Sequence, residues 1–468
     1  MPLTLFEKIW KSHCVMVGGS QPDLIYIDRI FLHERTGSFA LKSLQERGLR
    51  VKNAKHVFAT MDHIIDTFPG RGDETLMPGG KQFITTMRSL AKEFNITLFD
   101  INDPRHGISH LISAEQGITL PGSIVTCPDS HTCTLGALGA IGWGVGSSDC
   151  EHALATSTLS GAKPAQMKVT FTGKLNEGVN PKDMMLHLIA KYSASGGSGY
   201  AIEFSGDTVD MMPLENRFTL CNMAVEFSAF TGIIAPDQKV FEYLKDRPYS
   251  PIYNWSENIK HWESLASDKD AIFDKYIEIN TSDISPSVTW GLSPEDSIPI
   301  DGKVPQTSKL INDDKKKDME SALEYMGLKS GQSLMGLAID AAFIGSCTNA
   351  RLADLRSAAK ILINNKISPE VTAICTPGSA DVKKKAEQEG IDKIFKDAGF
   401  QWREPGCSLC FYAGGEGFLP QQRVITSTNR NFRGRQGQGV RSHLASPATV
   451  AASAIAGKIV PPKMITKQ

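Results

Sequence analysis

The pattern of apolar and polar positions is clearest in the last third of the chain. Leu337–Ile344 is an apolar run that stops at Gly345-Ser346-Cys347-Thr348-Asn349, and a helical period follows over Leu352–Ile363. Val371–Cys375 then reads as a strand, Pro377-Gly378-Ser379 as a turn, Asp381–Glu389 as a helix, and Val424–Ser427 as the start of a third strand. Strands alternating with helices predict a parallel sheet covered by helices, with sites at the carboxyl ends of the strands. Earlier, strand-like runs at Met167–Phe171 and Tyr200–Phe204 flank a helical run at Pro181–Tyr192. Small residues dominate Ser123–Ser160, with Gly136, Gly139, Gly142, Gly144 and Gly146. This predicts backbone packed closely on a neighbour, followed by a helix through Cys150–Ser160. The charged stretch Pro299–Lys317 reads as a linker or surface excursion, with Lys315-Lys316-Lys317 as a solvated face. No internal repeat stands out.

Length and composition narrow the class of protein. The chain has 468 residues, enough for two to four units with buried cores. Hydrophobic residues make up 41% and charged residues 22%, as in ordinary globular proteins. A net charge of −1 gives no general reason to expect a nucleic-acid or membrane partner. Charge interrupts the first eight residues, so no signal peptide is predicted, and no stretch approaches the ~18 apolar residues that span a bilayer. Nine sparse cysteines do not form a secreted disulfide framework, and a reducing cytoplasm is the predicted location.

Three of those cysteines carry candidate chemistry: Cys347 in Gly-Ser-Cys-Thr-Asn, and Cys407 and Cys410 in Pro-Gly-Cys-Ser-Leu-Cys. Three thiolates are one short of a closed zinc site or of the usual four-cysteine cluster. Around a cubane they would leave an iron open to water or substrate as a Lewis acid. A zinc half-site or a redox pair is the alternative for Cys407 and Cys410, although no second Cys-x-x-Cys or Cys-x-x-His completes a zinc set. Cys347 follows a predicted strand, close to a helix N-terminus that favours thiolate. Cys14, Cys127, Cys133, Cys150, Cys221 and Cys375 read as ordinary core or surface residues.

A second set pairs carboxylates with imidazoles: Asp62-His63, His110, and Asp129-Ser130-His131. An adjacent carboxylate raises an imidazole's proton affinity and suits it to general acid work; the same pairs also serve as plain structural hydrogen bonds. Glu226 lies in an otherwise apolar helical run and needs a partner if buried. A third set, Asn429-Arg430-Asn431-Phe432-Arg433-Gly434-Arg435, suits carboxylate clamping. It lacks the aromatic interleaving of a single-strand nucleic-acid surface. The Gly144-Val145-Gly146 fragment lacks the spacing of a dinucleotide fingerprint.

Asp-Ser-His-Thr at 129–132, Gly-Ser-Cys-Thr-Asn at 345–349, Pro-Gly-Cys-x-x-Cys at 405–410 and Asn-Arg-Asn-Phe-x-Gly-Arg at 429–435 resemble the signatures of the aconitase superfamily. The opening Thr-Leu-Phe-Glu-Lys-Ile, Tyr-Ile-Asp-Arg at 26–29 and Phe-Ala-Thr-Met-Asp-His at 58–63 resemble its isopropylmalate dehydratase branch, which acts in leucine biosynthesis. The resemblance implies three α/β subdomains at 1–165, 166–300 and 301–468 around a [4Fe-4S] cluster. Cys347, Cys407 and Cys410 would hold that cluster and leave one iron unbound by protein. Asp62 and His63 would protonate the leaving hydroxyl, with His110, Asp129, His131 and Glu226 handling the water. Ser130, Asn429, Arg430 and Arg435 would bind substrate carboxylate.

The implied reaction dehydrates a 2-hydroxy dicarboxylic acid and rehydrates it at the neighbouring carbon, converting 2-isopropylmalate to 3-isopropylmalate. Another substituted malate is the alternative substrate, and a cluster-gated nucleic-acid-binding regulator the non-enzyme alternative. The family's catalytic serine and a further substrate arginine lie on a swivelling domain. No room for that domain remains before Gln468, so a separate small subunit is expected in a heteromeric assembly. Three departures bear on the substrate: Phe411–Phe418 replaces the usual Ala-Met-Asn-like segment, Pro128 replaces glycine, and Arg35 replaces a smaller apolar residue. An extra cation at Arg35 would favour a more anionic or polar substituent if it faces the site; Arg35 pointing to solvent is the alternative.

Overall fold

A computed structural model describes residues 1–309, 312–412 and 415–465. Ala413 and Gly414, within the departing 411–418 segment, lie outside the described residues, as do Leu310 and Ile311 of the expected linker. The chain is an α/β protein that divides into two compact units. One comprises 1–65, 72–173 and 197–279; the other comprises 66–71, 174–196 and 280–468. Among the described residues, no helix is long and apolar enough to cross a membrane.

In the first unit, strands β1 (Arg29–His33), β2 (Val57–Thr60), β3 (Thr97–Phe99), β4 (Ile124–Cys127) and β5 (Ile141–Gly144) form one sheet. Their order is β3-β2-β1-β4-β5 and every pairing is parallel. All residues of β2 and β4 are buried, as expected of strands covered on both faces. Helices α1 (Gly37–Glu46), α2 (Gly80–Glu93) and α3 (Ser109–Glu115) make the first three crossovers, the 3-10 segment Ser130–Leu138 joins β4 to β5, and α4 (Ser147–Thr156) follows β5. Phe31, Phe58 and Phe99 stack across three neighbouring strands with ring centroids 6.2–6.5 Å apart, packed on Ile112, Ile118 and Cys127.

The same unit holds a second sheet of β6 (Ala165–Thr172), β7 (Tyr200–Ser205), β8 (Thr231–Ile233) and β9 (Lys275–Asn280), ordered β8-β7-β6-β9. The glycine-rich stretch joins the two sheets. A Cβ on Gly136 would lie 1.7 Å from the Gly232 carbonyl oxygen, and one on Gly142 would lie 2.0 Å from that of Thr132. Close backbone approach therefore accounts for the glycines. The helix expected to reach Ser160 stops at Thr156. Ser157 takes a left-handed φ of 58°, and Thr158–Gly161 becomes a strand antiparallel to Asp23–Tyr26. A helix-length run of small residues could not reveal that partner strand more than 130 positions upstream.

In the second unit, β10 (Ala341–Ile344), β11 (Thr372–Cys375), β12 (Gln401–Trp402), β13 (Arg423–Thr426) and β14 (Arg441–Leu444) form a parallel sheet ordered β12-β11-β10-β13-β14. Relative to chain order this repeats the arrangement of the first sheet. Helices α5 (Leu352–Leu362), α6 (Ala380–Gln388) and α7 (Pro447–Ala456) contribute Leu355, Ala358, Val382, Val450 and Ala451 to a core with Ile344, Cys375 and Ile425. The end of the stretch read as a linker is the start of a helix, Asp313–Met326, capped by Asn312 and burying Met319, Ala322, Leu323 and Met326. Its apolar stripe starts only after the lysines, so charge masked the first turns; Lys315 and Lys317 are exposed as expected. The helix Pro181–Tyr192 has the predicted bounds, opened by a capping box of Asn180 and Asp183.

Candidate active site

In both five-stranded sheets the chain order reverses beside the first strand, opening a crevice at the carboxyl ends. The candidate residues of each unit gather there. In the first unit, β1 ends in His33, β2 leads into Asp62-His63, β4 leads into Asp129, and His110 lies in the first turn of α3. The first sheet thus delivers groups far apart in sequence to one edge.

His63 is bracketed by carboxylates, with Nδ1 2.6 Å from Asp62 Oδ1 and Nε2 3.2 Å from Asp129 Oδ2. Burial works against its charge, but the Asp62 and Asp129 carboxylates overcome it and hold His63 well above its usual range, so it is protonated at neutral pH. Burial also opposes ionisation of Asp62, yet the His63 charge and the Ser109 N–H bring it down to about 2. Asp129 is pulled well below the carboxylate range, against burial, by His110, His131 and His63. Its Oδ1 lies 3.2 Å from His110 Nε2 and accepts the His131 backbone N–H at 2.7 Å. His131 continues the chain from Nε2 to Glu226 Oε1 at 2.7 Å. Asp129 and His63 each retain 14% side-chain exposure, so this otherwise buried network opens outward at that pair. Ser130 is exposed beside them.

Glu226 reaches His131 because Cys133 Sγ and Thr134 Oγ1 bond Asn222 at 3.5 Å and 2.8 Å, fixing the two segments together. Glu226 stands in a 3-10 segment, Met223–Phe227, directly after the helix Leu214–Asn222. The partner its burial demanded is therefore His131.

The second unit carries the thiols. Cys347 follows β10 through Ser346, whose φ is +80°, and Cys407 precedes Ser408 with φ +48°. Left-handed backbone at two serines, each next to a cysteine, is strain of the kind concentrated at functional sites. Helix α5 starts only at Leu352, where Arg351 and Asp354 close its first turn, so Cys347 lies in the loop before it rather than on its N-terminus. Two sulfurs instead receive side-chain donors: Asn429 Nδ2 is 3.5 Å from Cys347 Sγ, and an Arg435 terminal nitrogen is 3.4 Å from Cys410 Sγ. Asn429 follows β13, the neighbour of β10 where the strand order reverses. Arg435 is sandwiched by Phe411 and Phe432, with its guanidinium carbon 4.9 Å and 5.3 Å from the ring centroids.

These residues fit a [4Fe-4S] cluster. All nine cysteines are unbridged, the three thiols are buried, and Cys347 and Cys410 lie beside N–H donors of the sort that stabilise thiolate sulfur. Burial pushes Cys150 up to about 12 and Cys127 and Cys375 well above the thiol range, which disfavours the thiolate form of those three. Asn429 Oδ1 and Arg435 Nε are buried without partners among the described residues, so polar capacity remains at this edge.

Arg433, by contrast, is exposed, bonds Ser321 and lies over Tyr325; Arg430 is half-buried. Asn431 is structural, donating to Thr289, Gly291 and Ser442. The arginine segment therefore does not act as a single patch.

Sequence reasoning passed over four contributors. His33 stacks on His63 at 4.1 Å and bonds the Pro128 carbonyl at 3.1 Å; burial and the His63 charge lower it to about 4. Glu34 is fully buried below the same loop. Lys182, also fully buried, donates to the Ser427 and Thr428 carbonyls just before Asn429. Residues 66–71 brace the Cys407 loop: Thr67 Oγ1 donates to Ser408 Oγ at 3.0 Å and the Glu404 N–H to Thr67 O at 2.7 Å. A His-Glu pair closing an apolar run was the one available signal; the others are contacts across more than 240 residues.

The first unit thus carries an acid–base network, and the second carries three buried thiols, two of them beside side-chain N–H donors. The chain belongs to the Aconitase family (aconitate hydratase), matched over residues 7–457. It is 46% identical over 457 residues to 3-isopropylmalate dehydratase large subunit 1 of Bradyrhizobium diazoefficiens, covering 97% of this chain and 95% of that protein. It is also 46% identical over 462 residues to the protein of the same description from Mannheimia succiniciproducens, covering 98% and 97%. Among solved structures, the holo form of Thermococcus kodakaraensis aconitase X is similar with a TM-score of 0.49 and 14% identity, over 96% of this chain and 95% of that one.

Proposed function

We propose that this chain is the large subunit of a hydro-lyase that interconverts 2-isopropylmalate and 3-isopropylmalate in leucine biosynthesis, working in the cytoplasm with a separate small subunit. The observation that carries the reading is His63, a protonated imidazole held between two carboxylates at an opening in a buried network. The identity to proteins described as 3-isopropylmalate dehydratase large subunits, across nearly the full length of each, supports the substrate and the partner.

Cys347, Cys407 and Cys410 would hold a [4Fe-4S] cluster with one iron not bound by protein, and that cluster would supply Lewis acidity toward the departing hydroxyl. His63 gives its proton to that hydroxyl, and Asp62 holds the ring so that Nε2 presents it. Asp129 orients His110 and His131, which steady the released water, and Glu226 shares in handling that water by holding the His131 ring at Nε2. Arg430, Arg435, Asn429 and Ser130 hold the substrate carboxylates; the unpartnered Nε–H of Arg435 is a ready donor. Removal of the proton from the neighbouring carbon falls to the serine of the small subunit, whose arginine completes the carboxylate clamp. The three subdomains at 1–165, 166–300 and 301–468 are the frame we assign to these parts.

Anaerobic reconstitution of the chain with iron, sulfide and a candidate small subunit tests this. The unsaturated intermediate is followed by ultraviolet absorbance over a panel of 2- and 3-substituted malates. Turnover of 3-isopropylmalate only when both subunits are present is the expected result. Full turnover by the large chain alone overturns the division of labour. Activity confined to another malate overturns the leucine assignment and favours a role for the half-buried Arg35 in the turn after β1.

A further inference from the structure

Glu34 is a fully buried carboxylate that no step above uses. It directly follows His33 at the carboxyl end of β1, beneath the loop that leaves β2. Its Oε2 accepts the Asp62 backbone N–H at 3.0 Å; its Oε1 accepts those of His63, at 2.8 Å, and Ile64. Three consecutive amides thus converge on one carboxylate, in a loop that without it would bury three unmatched donors. The residue whose side chain carries the proton is the middle one of the three.

We propose that Glu34 is a positioning residue for the reaction: it clamps the 62–64 backbone so that the His63 ring meets Asp62 and Asp129 together, and its charge sustains the His63 proton. The groups facing His63 are Asp62 from its own loop, His33 and Glu34 from the end of β1, and Asp129 from the end of β4, which also bears on His110 and His131. Burial and the Asp62 charge push the Glu34 carboxyl up, while His63 and the amides favour its ionised form. A metal ion does not explain the His33, Glu34, Asp62 and His63 grouping, because both Glu34 oxygens already serve amides. The inference rests on the assignment of His63 as the acid.

Glu34→Gln tests it. An amide has one acceptor oxygen, so its NH2 must face either the Asp62 or the His63 and Ile64 amides, donor against donor. With the reconstituted two-subunit enzyme, kcat falls about 10- to 100-fold while KM changes by less than about threefold. The high-pH limb of the kcat profile, where His63 loses its proton, moves to lower pH. A purely structural role would lower amplitude without moving that limb. Independently of turnover, the imidazole signal of His63 in histidine-labelled large chain, assigned by its loss in His63→Gln, titrates at lower pH in Glu34→Gln than in the unsubstituted chain. An unchanged His63 titration overturns the proposal. Absence of all dehydratase activity in the unsubstituted enzyme, with the titration shift present, overturns instead the functional reading. If Glu34→Gln fails to fold, Glu34→Asp keeps the charge but shortens the reach, and an unaltered kcat there overturns the clamp. Hydrogen exchange in the unsubstituted chain probes the clamp directly: slow exchange of the 62–64 amides is expected, and exchange as fast as that of exposed loop amides overturns it.

Discussion

Asp62→Asn puts the acid to a quantitative test. Asp62 accepts from His63 Nδ1 at 2.6 Å and from the Ser109 N–H at 2.9 Å, so both oxygens are committed as acceptors. Asparagine keeps one. If its oxygen serves Ser109, its NH2 meets the Nδ1–H of His63, and the ring must turn or surrender that proton. Loss of a correctly oriented acid costs about 10²- to 10⁴-fold in kcat. Stability changes as well. The folded carboxyl sits at about 2 against an ordinary 3.8, so ionisation favours the folded state by about 2 kcal/mol. The group is depressed on folding, so this contribution is complete above pH ~4 and fades as pH falls through about 2. Asp62→Asn therefore unfolds at lower urea at pH 7, and the gap from the unsubstituted chain narrows between pH 4 and pH 2. Intrinsic fluorescence of the six tryptophans follows unfolding, and ultraviolet absorbance of the alkene follows turnover. A variant that keeps kcat within about threefold, or a stability gap that does not change with pH, refutes the reasoning.

Three further outcomes follow from the second unit. Cys407→Ser abolishes the visible absorbance and most of the iron bound after anaerobic reconstitution, whereas Cys375→Ser leaves both intact because that thiol is buried and protonated; equal iron in the two variants is the contrary result. Arg435→Lys retains charge but loses the planar stack between Phe411 and Phe432 and the donor geometry to Cys410. It costs about 1–2 kcal/mol in urea unfolding, and an unchanged midpoint removes the stacking argument. Lys182→Met leaves the Ser427 and Thr428 carbonyls without their buried cation and destabilises the chain by about 2–4 kcal/mol, measured by the same unfolding; a neutral effect shows that other donors take over.

The motifs were legible because their chemistry is local. Gly-Ser-Cys-Thr-Asn announces a strand-to-helix turn, Asp62-His63 is a pair in sequence before it is one in space, and apolar runs around 341–344, 372–375 and 423–426 mark buried parallel strands. The helix Pro181–Tyr192 was legible for the same reason: proline in its first turn, a capping asparagine and an apolar stripe are neighbours along the chain. Elements closed by distant partners were not. Thr158–Gly161 is a strand only because Asp23–Tyr26 pairs with it, and the 313–326 helix begins in charges that look like linker.

Sequence alone therefore determined which groups exist: three thiols, a set of histidines beside carboxylates, arginines after a strand, and an α/β frame to carry them. Tertiary structure alone decided how they are used. It brought Glu226 to His131, made Asp129 the hub for three histidines, turned Arg433 and Asn431 to structural duty, and placed Glu34 and Lys182 beneath the loops they hold. It also showed the same strand order in two sheets whose sequences show no repeat. The physical reason is common to all of these. A residue's type is a local property, while its partner, burial and proton affinity are set by what the fold brings within a few ångströms, often across hundreds of residues.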